Sequence, residues 1–516
     1  MLQRLWPGRF SQPEISVADE PLLSKTKYLV GLQCFKALWI HYNDKTRVPP
    51  TDTSLAAIFE QGHEVGEWAK KLFPDGIDLS NRAGFTQPVT TTIDALQLRK
   101  PIFEAAFTYN GCFSRADILV PVGTDQWDII EVKSSSAPDE LEDVRPVYLR
   151  DVAFQRYVYE GAGLKICNCF VLLVNKNYVR SGNVDPQLLF TRVPVTTEVN
   201  ALLLAVHSKV EEMKKILVLP QCPDVKISRH CTQPYECALS KHCWGFLPQP
   251  SVFDLRHANQ KAWDLFARGV TRIEDVPADV DFTEAQLRQI ASHRRGIPHI
   301  NQAEIREFLS ELSYPLYFLD FETMQSAVPL FDCSSPYMSI PFQFSLHIVR
   351  EKRSPPAHHS FLAEGKGDPR PRLLWELKRL LGNHGSIVGY NTKFELTRLT
   401  ECARFFPEYR TWVDSVSGRF VDLLKVFQRM SYYHPSQNGS ASLKDVLPAL
   451  TSTSYEAFQI RDGELASREF MRIAFSRVSR RERRRVRKAL EEYCAQDTRG
   501  LIEILQALEC LSSITS

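Results

Sequence analysis

At 516 residues the chain is too long for one ordinary hydrophobic core, and two or three domains are expected. Hydrophobic residues make up 44% and charged residues 24%, which excludes general disorder; a net charge of +2 neither requires nor excludes a polyanionic partner, so local charge placement must decide. Twelve cysteines are too sparse for a disulfide scaffold, and the clustering of three of them favours metal ligation in a reducing cytosol.

The N-terminal stretch MLQRLWPGRFSQPEIS lacks a continuous apolar core, and the most apolar later run, YLVGLQCFKALWI, is broken by Gln33 and Lys36, so a soluble, cytoplasmic protein without membrane contact is expected. IFEQGHEVGEWAKKLF reads as a helix carrying His63, which taken alone reads as a structural histidine. FSRADILVPVGTDQWDIIEVKSSS predicts a β-hairpin with strands Arg115–Val120 and Trp127–Lys133 around a turn at Gly123 and Thr124. A regular hairpin centred on Thr124 sets Asp117 opposite Glu131, a like-charge pairing that is unfavourable by itself, and puts Lys133 on the face of Glu131. Two carboxylates and an ammonium suit phosphodiester hydrolysis: the acids hold Mg²⁺ or Mn²⁺ and the lysine orients water or offsets charge. DVAFQRYVYEGAG follows as a helix ending near Gly161 or Gly163, with Gln155 and Tyr159 four apart on one face.

These pieces, in order, resemble the PD-(D/E)xK nucleases of the RecB type: the helix histidine of GHEVG (His63), the acid of RADILV (Asp117), the E-x-K of EVKSS (Glu131, Lys133) and Q-x-x-x-Y (Gln155, Tyr159). The resemblance covers about the first half of the chain. It implies a restriction-endonuclease-like domain over residues 1–245, with His63, Asp117 and Glu131 binding the divalent metal and Gln155 and Tyr159 lining a DNA-facing side. Cys231, Cys237 and Cys243 in CTQPYECALSKHCW, with Cys34 far upstream, resemble the subset of these nucleases that holds an iron–sulfur cluster, implying a [4Fe–4S] cluster on those four thiolates. The spacing C-x₅-C-x₅-C departs from the common C-x₂-C-x₅-C, and Cys222 is a spare candidate. Four-thiolate Zn²⁺ is the competing reading, and unligated buried cysteines the plain one.

Residues 246–312 alternate short amphipathic runs with turns and read as a helical connector. WDLFARGVTRIEDVP carries a helix–Gly–helix rhythm like that of helix-hairpin-helix DNA-backbone binders, although a plain spacer explains it as well.

In YFLDFETM, Asp320 and Glu322 are two apart in a run that otherwise reads as a buried strand, so they share a face. Buried together they require a cation between them; on an exposed face they would pair with Lys or Arg. PFQFSLHIV and HHSFLAE read as strands, PRLLWELKRLLGN as a helix, SIVGYN as a strand, and KFELTRLTECARFF and EEYCAQDTRGLIEILQAL as helices, an α/β layer pattern.

This half, residues 313–516, resembles the DnaQ-like (DEDD) 3′–5′ exonucleases of ribonuclease H-like fold: D-x-E at Asp320 and Glu322, YNTKFE at Asn391 and Glu395, and the tyrosine-subclass Y-x-x-x-D at Tyr493 and Asp497. Glu395 stands where the family usually has Asp. The resemblance implies two-metal hydrolysis with Asp320, Glu322, Glu395 and Asp497 as ligands and Tyr493 orienting water; Asp422 and Asp445 are alternatives to Glu395. SRVSRRERRRVRKAL reads as a phosphate-contacting helix including Arg483, Arg484 and Arg485, or as a solvated basic face. The pairing resembles a bacterial family joining both nuclease types. The expected function is a metal-dependent nuclease acting on DNA, at single strands or ends, in repair, recombination or defence. The alternatives are a 3′–5′ exoribonuclease and a nucleic-acid-binding module with one inactive domain.

Overall fold

The computed structural model describes residues 22–50, 53–81, 84, 86–137 and 144–513, so the reading of the extreme N-terminus lies outside the described residues. The protein is a multidomain α/β chain with two mixed sheets. No helix among the described residues is long and apolar enough to cross a membrane.

Two compact units divide the chain: residues up to Gly245 together with Ser326–Tyr337, and Phe246–Gln325 together with Met338–Ser516. Residues 246–312 therefore do not stand apart as a connector, and a short segment of the expected C-terminal domain packs with the first unit.

The sheet of the first unit contains β1 (Leu23–Ser24), β2 (Ile77–Asp78), β3 (Ile102–Tyr109), β4 (Cys112–Val122), β5 (Gln126–Ser136), β6 (Lys165–Val174) and β7 (Phe190–Pro194). Its spatial order is β2-β3-β4-β5-β6-β7, with β1 added in parallel to β4. β3, β4 and β5 are antiparallel, while β5 and β6 are parallel and joined through the helix Pro146–Gly161. The hairpin strands are longer than expected, but Pro121 pairs with Trp127 and Val122 with Gln126, which centres the turn on Thr124 as the sequence predicts.

Alternation fixes which residues enter the core. Ile102, Leu119, Ile129 and Val171 pack with Phe154, Val158 and Tyr159 of the helix Pro146–Gly161 and Val206 and Val210 of the helix Thr196–Leu217. A second cluster joins Val65 and Ala69 of the helix Thr53–Lys70 to Phe103, Ile118 and Ile130, and takes in Ala327 and Val328 from the segment Ser326–Tyr337.

The second unit holds a five-stranded sheet of β9 (Leu316–Met324), β10 (Ile340–Val349), β11 (Ala357–Leu362), β12 (Ile387–Gly389) and β13 (Phe420–Asp422), ordered β11-β10-β9-β12-β13. The first three are antiparallel; β12 and β13 continue in parallel. A two-residue pairing of β8 (His299–Ile300) with β14 (Tyr432–Tyr433) lies apart. The basic run and the Y-x-x-x-D segment form one 34-residue helix, Arg480–Ser513. Its buried stripe, Val486, Leu490, Tyr493, Cys494, Asp497, Leu501, Ile504, Leu505 and Leu508, follows the 3–4 spacing of an amphipathic helix.

The helix–Gly–helix rhythm is not realised. Gln260–Ala267 is a helix, but the amides of Gly269 and Val270 turn back onto Phe266 O and Leu265 O, and the next helix begins only at Glu284. The spacing served a small core instead, in which Leu265, Ile273, Val276 and Ile290 pack together.

Tyr159, expected on a DNA-facing side, is fully buried: its hydroxyl donates to Ala105 O on β3 and accepts from Ala116 N on β4 at 2.6 Å. Tyr159→Phe strands both backbone groups and should cost about 1–3 kcal/mol, read as a lowered urea midpoint at unchanged m-value.

Candidate metal centres and a cysteine cavity

The first centre grows from the β4–β5 hairpin and the helix that follows. At Asp117 the ladder gives way to a side-chain bond: its Oδ2 accepts the amide of Val132 at 2.7 Å. Glu131 is buried, and its Oε1 accepts Lys133 Nζ at 2.6 Å and Lys25 Nζ at 2.8 Å, while Oε2 accepts Gln155 Nε2 at 2.7 Å. Asp151, one turn before Gln155, takes Lys133 Nζ at 2.6 Å on Oδ2 and Gln155 Nε2 at 3.2 Å on Oδ1. Gln155 therefore faces the carboxylates, and its own Oε1 is buried without a partner.

Two buried carboxylates, Glu131 and Asp151, and the half-buried Asp117 thus face two ammoniums. Burial and the charge of Glu131 push Asp117 up to about 7. Burial also acts to raise Glu131, but Lys133 and Lys25 outweigh it and hold the group well below the ordinary carboxylate range. His63 is exposed on the helix Thr53–Lys70 and takes no part in the hydrogen bonds of this cluster. Among the described residues, the ligand atoms of His63, Asp117 and Glu131 do not gather within 4.8 Å of one another.

The second centre lies on β9 and on the buried face of the helix Arg480–Ser513. Two contacts dock that helix on β10: Gln343 Nε2 donates to Leu490 O at 2.9 Å, and Thr498 Oγ1 bonds Ser345 Oγ at 2.7 Å and His347 Nδ1 at 2.8 Å. The docking brings Cys494 to Asp320 (Sγ to Oδ2, 3.6 Å), and ligand atoms of Asp320, Glu322 and Cys494 lie within 4.8 Å of one another. Asp497 accepts the Tyr455 hydroxyl at 2.6 Å on Oδ1 and a further bond from Tyr493. Glu395 is buried on the first turn of the helix Lys393–Phe405, with its Oε2 unpartnered.

None of Asp320, Glu322, Glu395 and Asp497 forms an ion pair with a Lys or Arg among the described residues; Lys444 is the cation whose field lowers Glu322 and Asp497. Burial, then Asp497, drives Asp320 and Glu322 well above their ordinary values, and burial raises Asp497 to about 6 and Glu395 to about 8. The surface ion-pair reading of YFLDFETM is thereby removed. Asp422 and Asp445 are committed elsewhere: Asp422 Oδ1 accepts the amides of Asn391 and Leu424 at 2.8 and 3.1 Å, and Asp445 accepts Ser442 Oγ at 2.5 Å. Asn391 is exposed at positive φ beside the helix that carries Glu395. In the basic run Arg484 and Arg485 are exposed, Arg485 pairing with Glu482 at 2.8 Å, whereas Arg483 is half-buried.

Cys34, Cys231, Cys237 and Cys243 line one small cavity, with Cys222 packed near Cys237 and Cys243 but outside the lining. Cys34 caps the helix Lys25–Gln33, and Gln33 Nε2 holds the cysteine loop through His230 O and Tyr235 O, both at 2.8 Å. Among the described residues no three of these sulfurs lie within 4.8 Å of one another.

Residues 317–442 match a domain of unknown function (DUF2779), which takes in Asp320, Glu322, Asn391 and Glu395 and ends before Tyr493 and Asp497. The chain is 26% identical over 206 residues to the uncharacterised protein MG366 homolog of Mycoplasma pneumoniae, covering 36% of this chain and 31% of that protein. It is 24% identical over 217 residues to the uncharacterised protein MG366 of Mycoplasma genitalium, covering 38% and 32%. The match spans about a third of the length of these relatives. A solved structure, titled the crystal structure of SSO0001, aligns at 8% identity over 40% of this chain and 90% of that one, with a TM-score of 0.20.

Lys25, Asp151, Tyr455 and Cys494 escaped the sequence reading. Asp151 had a signal, standing four residues before Gln155 on the same helix face, and Cys494 follows Tyr493 in the buried stripe.

Glu395 supplies a pH test. Held up near 8, it keeps its proton in the folded chain over the range from about 4.5 upward where the unfolded chain has lost it. The folded state then binds more protons, so this group makes stability fall as pH rises from about 4.5 to about 8. Glu395→Gln should remove up to about 1.4 kcal/mol per pH unit of that slope in EDTA, measured by urea unfolding at pH 5, 6, 7 and 8.

Proposed function

We propose that this chain is a divalent-metal-dependent nuclease with two phosphodiester-cleaving centres, one in each unit, acting on DNA. The observation that carries the reading is that two separate units each gather buried carboxylates with too little positive charge to match them. Buried polar atoms without partners, Gln155 Oε1 in one centre and Glu395 Oε2 in the other, fit sites that complete themselves with a cation. The sheet orders favour the finer fold reading too: an antiparallel meander followed by a parallel crossover accords with a restriction-endonuclease-like unit, and β11-β10-β9-β12-β13 with a ribonuclease H-like one.

Asp117 and Glu131 would hold Mg²⁺ or Mn²⁺ in the first centre, and Asp320, Glu322, Glu395 and Asp497 in the second. When bound, the metal supplies Lewis-acid stabilisation of phosphoryl oxygens and lowers the pKa of attacking water. Lys133, charged and held by Glu131 and Asp151, stands ready to balance phosphate charge or orient water. Tyr493, whose proton burial and Asp497 retain, donates to Asp497 and leaves its oxygen as an acceptor able to orient a water there. Asn391, Arg484 and Arg485, exposed in the second unit, are suited to phosphate contact.

The four cysteines around one cavity suit a [4Fe–4S] cluster, with four-thiolate Zn²⁺ as the alternative.

Digestion of end-labelled DNA and RNA in Mn²⁺ tests the reading. Asp117→Asn and Asp320→Asn should each remove one activity by about 10²-fold or more, and the double variant should remove both. Cleavage undiminished in the double variant contradicts the proposal, and RNA cleavage exceeding DNA cleavage moves the substrate to RNA.

A further inference from the structure

We propose that Lys25 is a displaceable ammonium that occupies Oε1 of Glu131 in competition with a divalent cation, so that Lys25 sets the metal affinity of the first centre. The proposal rests on the nuclease reading in one respect, that the first centre takes such a cation.

The donor inventory of Glu131 places the competition at Oε1. Oε1 accepts both Lys133 Nζ and Lys25 Nζ, at 2.6 and 2.8 Å, and Oε2 accepts Gln155 Nε2 at 2.7 Å. A hard cation binds through carboxylate oxygen lone pairs, about two on each oxygen, so Oε1 is full and admits a cation only when one of its two ammoniums leaves, while Oε2 keeps one free site. The two lysines are not held equally. Lys133 bridges two carboxylates at 2.6 Å each, whereas Lys25 has its one short bond to Glu131 and stands 3.6 Å from Asp151. Lys25 is therefore the ammonium that leaves first.

The backbone of Lys25 is fixed, so the movement belongs to its side chain. Leu23 and Ser24 pair with Cys112 and Phe113 on β4, and Ser24 caps the helix that Lys25 begins. At the far end of that helix Cys34 lines the cysteine cavity and Gln33 is bonded to two carbonyls of the cysteine loop. The side chain of Lys25 is 23% exposed, which leaves the flexible stem an outward path.

The test is Mn²⁺ titration by calorimetry on the full chain carrying Asp320→Asn and Asp497→Asn to silence the second centre. Lys25→Met keeps the apolar stem and removes the competing charge, and should tighten Mn²⁺ binding about tenfold or more. A merely structural lysine predicts the opposite, since its loss would loosen the site. Lys25→Arg keeps the charge and can grip Glu131 and Asp151 with a fork, so it should weaken Mn²⁺ binding; it serves as the second variant if Lys25→Met does not fold. Unchanged or weakened affinity in Lys25→Met, or unchanged affinity in Lys25→Arg, overturns the proposal. Loss of the isotherm in Asp117→Asn assigns the heat to the first centre and supports the comparison. Absence of any Mn²⁺ binding before Lys25 is altered, or an isotherm that Asp117→Asn leaves intact, overturns the nuclease reading of this centre as well.

Discussion

Carboxylates held together out of water must be compensated, and both units are organised around that constraint. Burying an ionised carboxylate costs several kcal/mol unless a proton, a hydrogen-bond donor or a cation answers its charge. The first centre answers with two ammoniums and a glutamine amide on one glutamate. The second has no ion pair among the described residues and answers with tyrosine hydroxyls and raised pKa values. The same physical problem is solved with fixed charge in one unit and with protons in the other.

The folds supply the rigidity those solutions need. In the first unit the Tyr159 hydroxyl ties β3 to β4, while Gln155, one turn earlier on the same helix, reaches the carboxylates. In the second, the long C-terminal helix is pinned to β10 by Gln343 and Thr498, and the acid it carries stands against those of β9 because of that docking. A helix so held presents Tyr493, Cys494 and Asp497 as one surface rather than as separate ligands. Cys494 places a buried thiol beside two carboxylates of the second centre, and burial holds its proton on.

Much of this is legible in the sequence where periodicity and local chemistry coincide. The hairpin register follows from one turn and strict alternation, so the facing of Asp117 and Glu131 is implied by the residues between them. D-x-E in an apolar run likewise marks one buried and one half-buried acid on the same face. What is not legible depends on contacts between distant segments: Lys25 reaches Glu131 because two residues of β1 pair with β4, more than eighty positions away, and nothing in its neighbourhood announces that pairing. The rhythm of WDLFARGVTRIEDVP misleads because a glycine that ends a helix looks the same whether or not a second helix follows. The role expected for Tyr159 came with a resemblance, and spacing alone does not distinguish a side chain that lines a site from one that braces the strands behind it.

The central claim is that each unit holds a divalent cation on the named carboxylates. Crystals of the full chain grown with Mn²⁺ and measured at the manganese edge test it most directly. The account predicts anomalous peaks between Asp117 and Glu131 and among Asp320, Glu322 and Asp497, with Lys25 withdrawn from Glu131 where the first is filled. Saturating Mn²⁺ that leaves both carboxylate sets without a peak would contradict it.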